Sequence, residues 1–326
     1  MLSRPSQSWI LFFAFTVYYA YKKVFQQRRR ALIVPQNEER VLVIGASSGI
    51  GREIAQRYSS RGAKVCIVGR RKDKIEAVAD GCKSELGAEL GGRSVLSVPA
   101  DFSNAKDMVH VRSVLEKEWG GIDTVIVAAG VSALRPLLQV AGVDSHNSDA
   151  SEQGVQAVIN AAEAASKSNY VGPTVSAVTL IPMLQRTSKS PSILLVSSLG
   201  AVIPAPTRSI YGSTKSASLL LYQALSIEHP SINFSFVLPS TVQGDFRASA
   251  VDVPPVNANE NSSTPQSTIT SGLKIEYVAR RCVQAADESR KVVFLPEVMG
   301  IGHLLYWLWP SFVEKRAMKK YGFTAN

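Results

Sequence analysis

The sequence predicts an α/β fold, a parallel sheet of about seven strands doubly wound with helices on both faces. Three observations carry that expectation. Residues 41–51, VLVIGASSGIG, run from four apolar residues into a turn with Gly45, Gly49 and Gly51, and a helical pattern starts at Arg52. Short apolar runs then alternate with amphipathic segments along most of the chain, the pattern of repeated βα units. With 326 residues, 45% hydrophobic and 19% charged, the chain can bury one large core and is not disordered.

An apolar segment precedes the first strand. Residues 9–21, WILFFAFTVYYAY, carry no charge, and the uncharged run reaches back to Pro5. At about 17 residues it sits at the short limit for a spanning helix, and its Trp and Tyr suit a membrane interface. Arg4 precedes it, whereas Lys22, Lys23 and Arg28 to Arg30 follow. The positive-inside rule then places the following domain in the cytosol. A cleaved signal peptide needs a positive start and a small-residue cleavage site, and neither is present. The expectation is an N-terminal transmembrane anchor at 1–27 and a basic linker at 28–39.

The second strand is expected at 63–69, a helix at 72–86, and a third strand at 94–99 leading to Asp101. A helix at 106–119 precedes a fourth strand at 124–128. Residues 152–185 are helical in pattern with an interruption around 169–173. A fifth strand at 192–196, a helix at 211–229 and a sixth strand at 233–238 follow. Residues 250–272, rich in Pro, Asn, Ser and Thr, read as a loop, either a surface insertion or an active-site lid. A seventh strand at 291–295 closes the domain at 40–296. The tail, 297–326, contains VMGIGHLLYWLWPSFV at 298–313, too short to span; an interfacial helix or membrane-dipping entrance is expected, with a core helix as the alternative.

The net charge of +10 owes much to basic residues beside the two apolar ends, Lys315, Arg316, Lys319 and Lys320 at the second of them. That placement suits a membrane surface, and no nucleic-acid-binding motif accompanies it. Cys66, Cys82 and Cys282 are far apart and form no metal-ligand pattern, so no metal is expected and a reduced, cytosolic setting is the simplest inference.

Two motifs carry chemistry. The glycine turn joins a buried strand to a helix N-terminus, whose unpaired N–H groups and dipole attract an anion such as a pyrophosphate. Tyr211 and Lys215, four apart on a helix, share one face. A phenol is a poor base near neutral pH, and an adjacent ammonium favours its ionised form. Ser198 ends a strand thirteen residues before Tyr211, and Asn169-Tyr-Val-Gly172 interrupts the long helix.

Jointly, GASSGIG, NYVG, the Ser198 of VSSLG and YGSTK, in this order over roughly residues 40–247, resemble the short-chain dehydrogenase/reductase family. The likeness is to its membrane-associated, NADPH-preferring branch, the 11β-hydroxysteroid dehydrogenase-like and keto-lipid reductases. It implies a Rossmann-type sheet and four catalytic residues. Tyr211 is then the general acid or base, Lys215 lowers its pKa and holds the nicotinamide ribose, Ser198 bonds the carbonyl, and Asn169 supports a water in the proton relay. Cofactor contacts are implied at Gly45, Ser47, Ser48, Gly49, Ile50 and Gly51, at Ala129 and Gly130, and at Val242. Arg70, ahead of Arg71, ends the second strand where an NAD enzyme presents an acid, and a guanidinium there suits the 2′-phosphate of NADPH. Asp101 resembles the adenine-contacting acid and reads equally well as a helix N-cap.

The chain departs from the family pattern at Ile44 for threonine, at Val127-Ala128-Ala129-Gly130 for Asn-Asn-Ala-Gly, at Pro239-Ser240 for Pro-Gly, and near Gly244, where a threonine is missing. The function expected is a hydride transfer between NADPH and a carbonyl or hydroxyl of a lipophilic substrate at the cytosolic face of a membrane, the endoplasmic reticulum by its lipid chemistry. Long-chain keto-lipids such as 3-ketosphinganine or an acyl-glycerone phosphate lead; a steroid or small ketone, or a non-catalytic NADP sensor, is the alternative. Partners expected are the substrate, the bilayer and a second copy forming a homodimer, with no nucleic acid.

Overall fold

A computed structural model describes residues 7–86, 94–143, 148–253 and 268–323. The sheet holds β1 (Arg40–Ile44), β2 (Lys64–Gly69), β3 (Val95–Pro99), β4 (Thr124–Val127), β5 (Ser192–Val196), β6 (Asn233–Pro239) and β7 (Val292–Leu295). All pairs are parallel, in the order β3-β2-β1-β4-β5-β6-β7. The helices are α1 (Gln7–Ile33), α2 (Gly49–Ser60), α3 (Lys72–Leu86), α4 (Ala105–Trp119), α5 (Glu152–Ser166), α6 (Gly172–Thr187), α7 (Ser209–Glu228), α8 (Ile275–Asp287), α9 (Met299–Leu308) and α10 (Pro310–Tyr321).

Alternation along each strand splits the core into two layers. Val41, Val43, Val65 and Ile67 pack with Ile54 of α2, Ile75 of α3 and Val278 of α8. Leu42, Ile44, Cys66 and Val68 pack with Leu115 of α4, Leu184 of α6 and Tyr222 of α7. Strands covered on both faces must be apolar throughout, hence the unbroken runs in the sequence. The strand order reverses beside β1, which pairs with β2 on one side and β4 on the other, so a crevice opens at their C-terminal ends.

Burial silences the thiols. Cys66, Cys82 and Cys282 are all buried and unpaired with one another, and burial pushes them up to about 12, about 11 and about 12.

The expected anchor at 1–27 is not present as a span: no helix among the described residues is long and apolar enough to cross a membrane. The apolar run ends at Tyr21, and α1 continues through the basic stretch to Ile33, taking in half of the expected linker. Its last turn is locked to the domain. Arg30 and Glu39, both buried, pair at 2.8 Å, and Glu39 also binds Arg61 and the Thr124 hydroxyl. Arg61 in turn reaches Asp287 at 2.7 Å.

The tail is not the core helix that the sequence allowed as an alternative. Residues 298–313 form neither one helix nor part of the core: Pro310 starts a new helix, α10, and neither α9 nor α10 buries a residue. Trp307 and Leu308 are 74% and 82% exposed. Around residue 169 the chain is not broken; Lys167–Val171 forms a π-helical turn between α5 and α6. A single turn at Leu137–Val140 was not anticipated from the sequence. Most of the loop at 250–272 lies outside the described residues; its flanks are tied by bridges between Val242 and Leu273 and between Gly244 and Ile269.

Candidate active site

The glycine turn leaves β1 at the crevice. Gly45 has φ +87°, and a Cβ there would lie 2.5 Å from the Ala129 nitrogen; one on Gly51 would lie 2.3 Å from the Gly45 oxygen. Glycine is therefore dictated by the close passage of backbone at both positions. Gly49, with φ +58°, meets nothing within 4 Å and faces open space. Ser48 makes no side-chain cap, so the first N–H groups of α2 keep their donors for a ligand. Ser47, Ser48, Ile50, Ala129, Gly130 and Val242 all line one cavity of about 1380 Å³. A small-molecule pocket is typically about 300–1,000 Å³, so this one has room for a dinucleotide and a second ligand.

Arg70 and Arg71 line the same cavity and diverge. Arg71 donates to Ser47 Oγ at 2.8 Å and Ser48 Oγ at 3.2 Å, across the glycine turn. Arg70 lends its charge to Asp101. Burial raises the Asp101 carboxyl, but bonds from the Ser103 N–H and hydroxyl, with Arg70, outweigh it and hold the group below its usual range. Asp101 is not the cap of α4; Asn104 is, accepting from the Asp107 nitrogen at 3.2 Å. Nor is Asp101 in the cavity wall, which its neighbours Ala100 and Phe102 form.

At the other end Ser198, Tyr211 and Lys215 converge. Ser198 Oγ accepts from the Gly200 N–H at 3.1 Å, and its hydroxyl acts on the Tyr211 phenol to lower its pKa. Lys215, buried, donates from Nζ to the Val196 carbonyl at 3.2 Å, and burial lowers its pKa to about 8. Gly130 makes the packing possible: a Cβ there would stand 2.9 Å from Asn169 Oδ1 and 3.1 Å from Lys215 Nζ.

The Tyr211 phenol differs from expectation. Burial raises its pKa above the usual tyrosine value; the Ser198 hydroxyl and the Arg208 charge oppose this, while Tyr321 adds to it. The cation acting on the phenol is thus Arg208, fixed by bonds to Ser132 Oγ at 3.2 Å and the Ala133 carbonyl at 2.9 Å. Asn169 sits fully buried in the π-helical turn, outside the cavity wall. It donates to the Val131 carbonyl and Thr214 Oγ1, both at 3.0 Å, and accepts from the Val131 N–H at 2.8 Å. It clamps the end of β4 to α7, keeping one Oδ1 lone pair for a further partner. Ser197, the other strand-end serine, is buried with an unpartnered hydroxyl.

Several lining residues escaped the sequence reading. Phe246 stacks edge-on to Tyr211 with ring centroids 6.0 Å apart. Arg247, Arg316, Lys320 and Tyr321 also line the cavity. Arg208 stands one helical turn before Tyr211, a spacing visible in the sequence; the α10 residues are over a hundred positions away and gave no signal.

The family model for short chain dehydrogenase matches residues 39–253. The chain belongs to the short chain dehydrogenase family. A relative, 11-beta-hydroxysteroid dehydrogenase-like 2 of Arabidopsis thaliana, is 30% identical over 206 residues, 63% of this chain and 59% of that protein, so the match spans about three fifths of the relative's length. Two solved structures share the fold. An alcohol dehydrogenase from Thermococcus sibiricus complexed with 5-hydroxy-NADP has TM-score 0.60 and 22% identity, covering 79% of this chain and 94% of that one. A short chain dehydrogenase/reductase from Burkholderia phymatum in complex with NAD has TM-score 0.67 and 20% identity, covering 86% and 96%.

Proposed function

We propose that this short chain dehydrogenase is an oxidoreductase that interconverts a ketone and an alcohol on a lipophilic substrate with NADPH. The observation that supports it most is the convergence of Ser198, Tyr211 and buried Lys215 on one cavity whose wall also includes an uncapped glycine turn. The nicotinamide supplies the hydride in the reductive direction. Ser198 donates a hydrogen bond to the substrate oxygen and orients it. Tyr211 gives that oxygen its proton; with its pKa raised by burial it stays protonated through the neutral range, which suits reduction. Lys215 holds the ribose hydroxyls, and the N–H groups of Gly49, Ile50 and Gly51 receive the pyrophosphate.

Arg71 is the better candidate for reading the 2′-phosphate, because its guanidinium already lies across the glycine turn. Arg71→Ala is expected to weaken NADPH about tenfold and NADH hardly at all, the exposed site giving the lower end of a charge-assisted bond. Titration of both cofactors checks this, and an unchanged ratio removes Arg71 from the assignment.

Lys215 adds a pH dependence. It loses its proton at about 8 in the free protein. A bound polyanion favours the charged lysine, so binding above that pH takes up a proton. Affinity for NADPH should therefore fall as pH rises through about 8, by no more than about tenfold per unit. Lys215→Met should flatten that limb; a slope surviving in the variant would assign it elsewhere.

The lipophilic substrate and the bilayer are proposals from the surface. α1 exposes Trp9, Phe12, Phe13 and Phe15, and α9 exposes Leu304, Trp307 and Leu308. With Lys315 and Lys319 on α10, these suit contact with a membrane face, the cytosolic face of the endoplasmic reticulum being our proposal. Detergent-solubilised protein is incubated with NADPH and long-chain keto-lipids, then steroids and small ketones, following nicotinamide absorbance. Oxidation dependent on one lipid supports the reading; silence throughout, despite NADPH binding, would favour a sensor.

A further inference from the structure

We infer that the substrate carries an anionic group, a phosphate ester by preference, and that Arg208, Arg247, Arg316 and Lys320 receive it. This rests on the reading of the cavity as a ketone-reductase site and names the substrate class within it.

The argument begins with charge. The cavity wall is strongly basic, and Asp245 is the only acidic residue lining it among the described residues. A nicotinamide cofactor accounts for one part of that charge: Arg70 and Arg71 lie at the glycine turn, and Lys215 lies at the ribose position. Arg52 on α2 and Lys74 on α3 closely follow the glycine turn and the arginine pair in the chain and belong to the same end, so four cations remain. Arg208 acts on the Tyr211 phenol. Arg247 follows Phe246, whose ring meets the ring of Tyr211. Arg316 and Lys320 stand on α10, the helix that also brings Tyr321 close enough to act on the same phenol. They surround the catalytic end of the cavity, not the glycine turn.

Their local bonding leaves them available. Arg208 is held by a serine hydroxyl and a backbone carbonyl, both neutral. Arg247 Nε is enclosed and has no acceptor. Arg316 lies over the Phe312 ring at 5.4 Å, and Lys320 over the Tyr321 ring at 5.9 Å. Among the described residues none of the four pairs with a carboxylate. Asp245 is engaged by Thr268 Oγ1 at 2.6 Å. Cations gathered around a cavity at mutual electrostatic cost, with an enclosed N–H lacking an acceptor, fit an anion brought by a ligand.

The same wall is apolar between the cations. Ile203, Met299, Leu305 and Phe312 line it, and the helices carrying three of them expose the apolar face described above. An alkyl chain and an anionic group can therefore be held in one cavity, the chain along α9 and the anion between α10 and the Phe246–Ser249 turn. A neutral steroid or wax-like ketone leaves the four charges unanswered.

The test uses a matched pair of probes, palmitoyl-glycerone phosphate and its dephosphorylated form, palmitoyl-glycerone, on the full chain. Binding to the NADP+-loaded protein and NADPH-dependent reduction are both measured. The phosphate ester is expected to bind and react about tenfold to a hundredfold better, the range of one or two charge-assisted bonds. In Arg316→Gln with Arg247→Gln that preference should collapse toward unity, and Arg316→Lys should restore part of it. Because both probes are measured on each variant, a general loss of folding cancels in the ratio. Equal binding of the two probes by the unaltered protein overturns the inference, as does a preference that survives in the double variant. Competition by free inorganic phosphate at matching affinity also overturns it, since the site would then serve an ion and not a substrate. Charge-dependent binding of the ester with no reduction of either probe supports the anion site and instead counts against the reductase reading.

Discussion

Tyr211→Phe is expected to lower the turnover number by about 10²–10⁴-fold, the usual contribution of a positioned general acid, while NADPH binding persists. The substitution removes one hydroxyl and little else. The ring keeps its edge-on contact with Phe246, and the backbone carbonyl of residue 211 still accepts from Thr214 Oγ1 at 2.9 Å. Ser198 Oγ keeps the Gly200 N–H as its donor. The cofactor end of the cavity, at Gly49 and Arg71, is untouched. Burial raises the Tyr211 pKa, so the group is a proton donor across the neutral range and the reductive rate should be flat there. The oxidative rate, which needs phenolate, should climb with pH. Stopped-flow binding and steady-state turnover separate the two quantities. A variant that retains turnover would remove Tyr211 from the chemistry, whatever the family relation suggests.

The sequence made the crevice legible because its constraints are local. A glycine with no room for Cβ, as at Gly45 and Gly51, is forced by neighbours a few residues away or on the adjacent strand end. Likewise the four-residue spacing of Tyr211 and Lys215 is a property of one helix. What was not legible depends on packing between distant segments. The charge acting on Tyr211 comes from Arg208, and its availability depends on how Ser132 and Ala133 hold it. Asn169 reads as a relay residue from its motif, yet its amide is largely used to tie β4 to α7. Asp101 shows the same limit: its position at a strand end suggested a ligand contact, but it lies outside the cavity wall and Ser103 two residues on takes its carboxylate. For the apolar tail the sequence favoured an interfacial helix and left a core helix as the alternative, and excluding the alternative took the structure. Mean hydropathy registers Trp307 and Leu308 as core-like, and only the break at Pro310 and the exposure of α9 show a surface pair of helices.

The largest stability effect is expected far from the cavity, at Glu39. Glu39→Gln should destabilise the fold by about 3–5 kcal/mol, the cost of breaking a buried ion pair by removing one partner. Glu39 is 1% exposed and answers two guanidiniums, Arg30 and Arg61, while accepting from the Thr124 hydroxyl at the start of β4. Glutamine keeps the shape but leaves Arg30, itself 3% exposed, beside an uncharged amide. Arg61 suffers less, since Asp287 remains at 2.7 Å. At about 2–4 °C per kcal/mol for domains somewhat smaller than this one, the midpoint of thermal unfolding should drop by roughly 10 °C. A change below about 1 kcal/mol would mean the pair is solvated and contributes as a surface bridge does. The site matters beyond stability, because Arg30 ends α1 and Glu39 begins the domain. The ion pair therefore ties the last turn of α1, the helix that exposes Trp9, Phe12 and Tyr21, to the domain. Arg30→Met, which removes the charge but keeps a long apolar stem, should free that helix while leaving the Glu39–Arg61 pair. If the proposed membrane contact depends on both apolar ends acting together, this variant should lose binding to phospholipid vesicles while its NADPH affinity stays unchanged. Loss of NADPH affinity in step with vesicle binding would instead mean that the pair supports the sheet as a whole and does not merely tether the helix.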